Sequence, residues 1–125
     1  MEHDMKHSLV VDDSRVIRKI ACRILEDLSF DTVEADSGPA GLAHCRSSMP
    51  DVILLGSDPP LMTAVEFLRE LRKEPRGDLP VVVYCTTEND SQHITDALGA
   101  GASEFMMKPF NTHEIQCKLA EFGLV

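Results

Sequence analysis

Short apolar runs alternate along this chain with stretches whose apolar residues recur at helical spacing. Leu9-Val10-Val11 reads as a first strand, closed by the acidic pair Asp12-Asp13. Ser14 is placed to cap the helix that follows, in which Ile17, Ile20, Ala21, Ile24, Leu25 and Leu28 fall on one face, with Arg15, Lys19 and Arg23 as a basic stripe away from it. A short strand from Thr32 to Ala35 precedes Ser37-Gly38-Pro39, which opens a second helix through Leu42 and Cys45. Val52 to Leu55 is an unbroken apolar run, too short for a helix. It has the signature of a strand covered on both faces, and Gly56 and the prolines at 59 and 60 end it.

The second half repeats the pattern. Thr63 and Glu66 make a capping box for a helix with Phe67, Leu68 and Leu71 inward, closed by Pro75 with Gly77 in the turn. Val81 to Cys85 is a further strand, ending at Thr86-Thr87. Ile94, Ala97 and Leu98 mark a weaker helix with Asp90 as its candidate cap, ended by the Gly99 to Ala102 segment. Phe105-Met106-Met107 forms a last strand before Lys108-Pro109, and Asn111 or Thr112 caps a final helix with Ile115, Leu119 and Phe122 inward. Five strand-helix repeats in so short a chain predict an α/β fold: a parallel sheet with right-handed crossovers and helices on both faces. The pattern leaves the strand order open.

Composition narrows the class. At 125 residues, 43% of them apolar, the chain is expected to be one domain with nothing left for a separate output domain. Residues 1–7 read as a polar, disordered leader and 8–125 as the domain; His3 and His7 stand four apart but belong to that leader. A net charge of −9 and a pI near 4.9 argue against a nucleic-acid partner, which needs a basic face. No run approaches a membrane span and no apolar leader is present, so a cytoplasmic location is expected. Cys22, Cys45, Cys85 and Cys117 are scattered without a CxxC pair and read as reduced core or helix residues rather than a zinc site. No GxGxxG, P-loop, Ser-His-Asp or Cys-His arrangement is present, so no enzyme is read from the chain.

The polar residues that close the strands point to a site. Asp12 and Asp13 follow the first strand, Thr86 the fourth and Lys108 the fifth, so a parallel sheet gathers them at the carboxyl edge where ligands bind in such folds. Carboxylate oxygens suit Mg²⁺, and a lysine with a hydroxyl suits the oxygens of a phosphoryl group.

These pieces resemble a CheY-like receiver domain of two-component response regulators. The matching segments are Leu9-Val-Val-Asp12-Asp13-Ser14, Pro50 to Leu55, Thr86-Thr87, Gly99-Ala-Gly101-Ala102 and Phe105-Met-Met-Lys108-Pro109-Phe110. The resemblance implies a flavodoxin-like three-layer (βα)5 sandwich with strand order 2-1-3-4-5, helices one and five on one face and two, three and four on the other. It implies Mg²⁺ held by Asp12 and Asp13, Lys108 on the phosphoryl group, Thr86 and Phe105 as switch residues, and a cis bond before Pro109. It also implies a histidine kinase, phosphotransferase or effector protein as partner, and a monomer or weak homodimer through helix four, strand five and helix five.

One departure changes the expected mechanism. The position matching the family's phosphorylated Asp is Gly56, which has no side chain to act as nucleophile or metal ligand. The following residues depart too: Pro59 stands for a usual Met, Thr63 for an Asp-like cap and Ala64 for a usual Gly. The reading is a degenerate, phosphorylation-independent receiver with a weakened Mg²⁺ site formed by Asp12, Asp13 and Asp58. The alternatives are that Asp58 serves as surrogate acceptor, although it lies roughly 6–7 Å along an extended chain from position 56, or that the acid was removed by engineering. Without the third acid, Lys108 is expected to pair with Asp12 or Asp13.

Overall fold

The computed structural model describes residues 5–57, 61–87 and 91–125. Its elements alternate in chain order: β1 (Lys6–Val11), α1 (Arg15–Asp27), β2 (Phe30–Ala35), α2 (Gly38–Ser47), β3 (Val52–Gly56), α3 (Ala64–Lys73), β4 (Val81–Thr86), α4 (Ser91–Ala100), β5 (Glu104–Met107) and α5 (Thr112–Glu121). Every ladder is parallel and the sheet order is β2-β1-β3-β4-β5. The chain therefore adopts the flavodoxin-like order that the resemblance implied.

Strand periodicity sorts the apolar side chains into two cores. Leu9 and Val11, Ile53 and Leu55, and Val82 and Tyr84 point to the face covered by α2, α3 and α4, where they meet Leu42, Phe67, Leu71 and Ala97. Val10, Val52, Leu54, Val83 and Cys85 point the other way, against Ala21 and Leu25 of α1 and Ile115 and Leu119 of α5. Burial on both faces explains why β3 is apolar at every position before its glycine. On the α2 side the approach is close: a Cβ on Gly41 would lie 2.9 Å from Val11 Cγ2.

Side-chain caps set the helix starts. Ser14 accepts from the Ile17 amide, Ser37 from Ala40 and Asn111 from Glu114, while Thr63 and Glu66 form the reciprocal capping box. Arg72 of α3 donates to the carbonyls of Gly77, Pro80 and Gly101, and so ties the turn after α4 to the turn before β4.

Several boundaries differ from the sequence expectation. β1 starts at Lys6, so Lys6 and His7 belong to the sheet rather than to a disordered leader. Their backbones pair with Phe30 and Asp31, and Asp51 both accepts from the His7 amide and donates its own amide to the His7 carbonyl. A ladder is made by backbone, so polar side chains at its exposed end do not break it. α4 runs through Gly99 and stops at Ala100; the positive φ of +124° belongs to Gly101. Ile20 and Phe122 are exposed rather than core. The proposed cap Asp90 lies outside the described residues, as does His3.

Three thiols are sealed in these cores and Cys117 is exposed. Burial first, then the charges of Glu34 and Glu26, pushes Cys22 up to about 11; burial, then Glu74, pushes Cys45 up to about 11. Cys85 is pushed up to about 12, again chiefly by burial. An unfolded thiol titrates near 9.0, so a folded state that keeps these three neutral holds that stability below this pH. The stability falls as pH rises from there toward 12. With a thiol reagent at neutral pH, Cys117 alone should react in the native protein and all four after denaturation; fast native labelling of Cys85 would contradict this packing.

Candidate functional site

The carboxyl ends of β1, β3, β4 and β5 converge because all four strands run the same way. Asp12 is the first residue past β1. Its amide donates to the Ala35 carbonyl at 3.1 Å, which carries the β1-β2 ladder one residue further and fixes the side chain's origin. Only 4% of Asp12 is exposed. A carboxylate so buried needs partners, and each oxygen has one: Oδ1 accepts from the Ser14 amide at 2.9 Å and Oδ2 from Lys108 Nζ at 2.8 Å.

Lys108 comes from the far edge of the sheet, just past β5. Its amide donates to the Thr86 carbonyl at 2.7 Å, and its bond to Pro109 is cis. The Asp12 and Lys108 side chains are 5% and 10% exposed, so they form a desolvated ion pair rather than a surface one. Of the two acids that Lys108 was expected to face, it takes Asp12. Asp13 is exposed.

Between the two partners lies the bare end of β3. Gly56 sits opposite Cys85 in the β3-β4 register. A Cβ built on it would fall 2.7 Å from Asp12 Oδ2, 3.1 Å from its Cγ and 3.2 Å from the Val11 carbonyl oxygen. The Asp12 carboxylate thus occupies the space that a side chain at 56 would enter.

A further residue holds this carboxylate's backbone. Arg18, one turn into α1, donates from Nη1 to the Asp12 carbonyl at 2.8 Å and from Nε to Glu34 Oε1 at 2.9 Å. Glu34 also takes Lys19 Nζ at 2.7 Å, and these bonds, Lys19 first, hold its carboxyl below the usual range. The sequence reading passed over Arg18. The available signal was its position one helical turn after Ser14, whose carbonyl accepts from the Arg18 amide.

The remaining expected residues take these places. Thr86 closes β4 and is 4% exposed. Phe105 lies opposite Tyr84 on β5 and packs half-buried against the α2-α3-α4 core, with Lys118 Nζ 6.0 Å over its ring and 3.3 Å from Glu104 Oε2. Asp58 lies outside the described residues. A cleft of about 240 Å³, lined by Ser57, Thr63, Tyr84, His93 and Asp96 among others, opens between α3 and α4, and neither Asp12 nor Lys108 lines it.

Mg²⁺ demands near-octahedral oxygen ligation at about 2.0–2.1 Å. The described donors do not fit that demand. Both Asp12 oxygens already accept hydrogen bonds, position 56 offers backbone alone, a lysine ammonium stands against the carboxylate, and Asp13 adds a single solvent-exposed carboxylate. Among the described residues no group of three His, Cys, Asp or Glu side chains is arranged to hold a metal. No helix among them is long and apolar enough to cross a membrane.

Known proteins share this architecture. The family model described as the response regulator receiver domain matches residues 8–120. The chemotaxis protein CheY of Pseudomonas aeruginosa is 32% identical over 112 residues, covering 89% of this chain and 90% of its own length. The KDP operon transcriptional regulatory protein KdpE of Escherichia coli is 33% identical over 115 residues, 92% of this chain and 50% of its own. The chain thus spans about half the length of the first curated relatives it matches. Among solved structures, the chemotaxis response regulator CheY4 of Vibrio cholerae superposes with a TM-score of 0.88 at 28% identity, covering 94% of this chain and 98% of that one. The receiver domain of sensor histidine kinase PA1611 of Pseudomonas aeruginosa, with a magnesium ion coordinated in its active site cleft, has a TM-score of 0.87 at 21% identity over 94% and 97% of the two chains, a likeness of fold alone.

The crowding at position 56 has a measurable consequence. Alanine normally gains about 0.5–1 kcal/mol over glycine in a strand, but here its methyl group must displace a carboxylate tethered at both oxygens. Gly56→Ala should therefore lose about 1–2 kcal/mol in urea unfolding, and less in a Lys108→Ala background where Asp12 Oδ2 has lost that donor. A Gly56→Ala protein as stable as the wild type would show that Asp12 yields freely.

Proposed function

The chain belongs to the response regulator receiver domain family, and we propose that within it the chain acts as a pseudo-receiver, signalling through protein contacts without accepting a phosphoryl group. Position 56 carries the reading: it matches the acceptor position of the family this chain resembles, and it presents backbone only, with Asp12 Oδ2 already in the adjoining space. Phosphoryl transfer to a receiver needs a carboxylate in line with the donor. Asp12 is turned into the site with both oxygens engaged, and Asp13 is exposed.

The chain's own residues then perform a structural task. Asp12 and Arg18 fix the end of β1, Lys108 joins that end to β5, and Lys118 sits over the Phe105 ring. In this reading Thr86 and Phe105 stay in one arrangement, and the surface of α4, β5 and α5 presents a constant face to an effector. Incubation with acetyl phosphate and Mg²⁺, followed by intact-mass measurement, should leave the protein unmodified. A stoichiometric adduct at Asp58 or any other residue would establish a phosphorylatable receiver instead.

A partner surface is offered by α1. Arg15 and Arg23 are exposed beside Val16 and Ile20, which are 67% and 45% exposed, a combination that suits an acidic helical partner such as a histidine kinase or phosphotransferase. The basic stripe is shorter than its sequence implied, because the Lys19 ammonium is on Glu34. Reversing Arg15 and Arg23 to Glu should weaken capture by a candidate phosphotransferase at least ~10-fold, mainly through slower association; unchanged binding removes α1 as the docking face.

A further inference from the structure

The mismatch between the described donors and a divalent cation is itself informative, and we propose that the Lys108 ammonium is the resident cation of this site, shutting Mg²⁺ and similar ions out. The inference builds on the pseudo-receiver reading, since both start from the bare position 56, but it concerns cation exclusion and is tested separately.

The charge balance is local. Asp12 is the buried acid of the described site, and Lys108 Nζ at 2.8 Å neutralises it one to one. A carboxylate at position 56 would have added a second buried negative charge and given a divalent ion a net charge to balance. With Gly56 that charge is missing, so a dication entering beside Asp12 would meet an already neutral pair and, beyond it, only the solvent-screened charge of exposed Asp13. The Asp12 carbonyl oxygen is engaged as well: Arg18 Nη1 donates to it at 2.8 Å, the guanidinium charge being balanced by Glu34.

Geometry adds to the electrostatics. An ion that took Asp12 Oδ2 would have to displace an ammonium that is 10% exposed and whose backbone is pinned to Thr86 at 2.7 Å. The displaced charge would remain buried without its counter-ion. No compensating ligand is gained at residue 56, where the backbone is all that the chain offers.

Mn²⁺ serves as the probe, followed by paramagnetic resonance and by amide NMR shifts at Asp13, Gly56 and Lys108. The whole wild-type chain should show no saturable binding below ~1 mM, the weak end of dedicated protein cation sites. Lys108→Gln, which keeps a donor and removes the charge, should bind at least ~10-fold more tightly, and adding Asp12→Asn should abolish the gain. Saturable binding to the wild type below that limit overturns the proposal without help from any variant. A Lys108→Gln protein that is folded by circular dichroism yet gains nothing also overturns it. Neither result bears on phosphorylation: a cation-binding wild type that still yields no adduct with acetyl phosphate leaves the pseudo-receiver reading standing, whereas an adduct overturns that reading.

Discussion

A single ion pair, Asp12 with Lys108, joins β1 to the edge strand β5. Three strand spacings separate the two strands in the order β1-β3-β4-β5, roughly 14 Å at about 4.8 Å each, and the partners meet over the bare end of β3. Burial gives the pair its weight. Removing one partner of such a pair strands the other charge and typically costs ~3–5 kcal/mol, whereas an apolar pair of the same shape is tolerated. Its presence therefore specifies an arrangement more than it adds stability: with Asp12 drawn over Gly56, the site is filled by the chain's own groups.

That arrangement depends on layers that contain no polar chemistry. Side chains alternate along β1, β3 and β4 so that one set packs on α2, α3 and α4 and the other on α1 and α5. A parallel sheet covered on both faces brings five separate strand ends to one edge while burying most of the apolar side chains of its strands. The polar residues at that edge are then desolvated by the same cores that stabilise the fold, which is why Asp12 and Thr86 are as buried as the apolar residues behind them.

Much of this was legible in the residues. Capping chemistry at Ser14, Ser37, Thr63 and Asn111 is local, and so is the apolar run of β3, and both are found where their patterns place them. The strand-end residues Asp12, Thr86 and Lys108 follow from topology, since any parallel sheet gathers them. Less was legible where tertiary context decides. Ile20 and Phe122 have the helical spacing of core residues, but the layers end before reaching them. Lys6 and His7 look like a frayed leader, but Asp51 and the β2 backbone hold them in the sheet. Arg18 was missed because a basic residue on an amphipathic helix is ordinarily solvated, and nothing local shows it turning back onto a strand end. That Asp12 fills the space beside Gly56 follows from side-chain positions no spacing encodes.

The central claim is that the Asp12-Lys108 pair fills this site in place of an acceptor and its ion. A crystal structure of the protein grown in an excess of MgCl₂ and beryllofluoride, a phosphoryl mimic, tests it most directly. The account predicts Lys108 Nζ still within hydrogen-bond distance of Asp12 Oδ2, with neither Mg²⁺ nor fluoride adduct among the strand ends. A hydrated magnesium ion coordinated by Asp12, with Lys108 swung away onto a bound beryllofluoride, would contradict it.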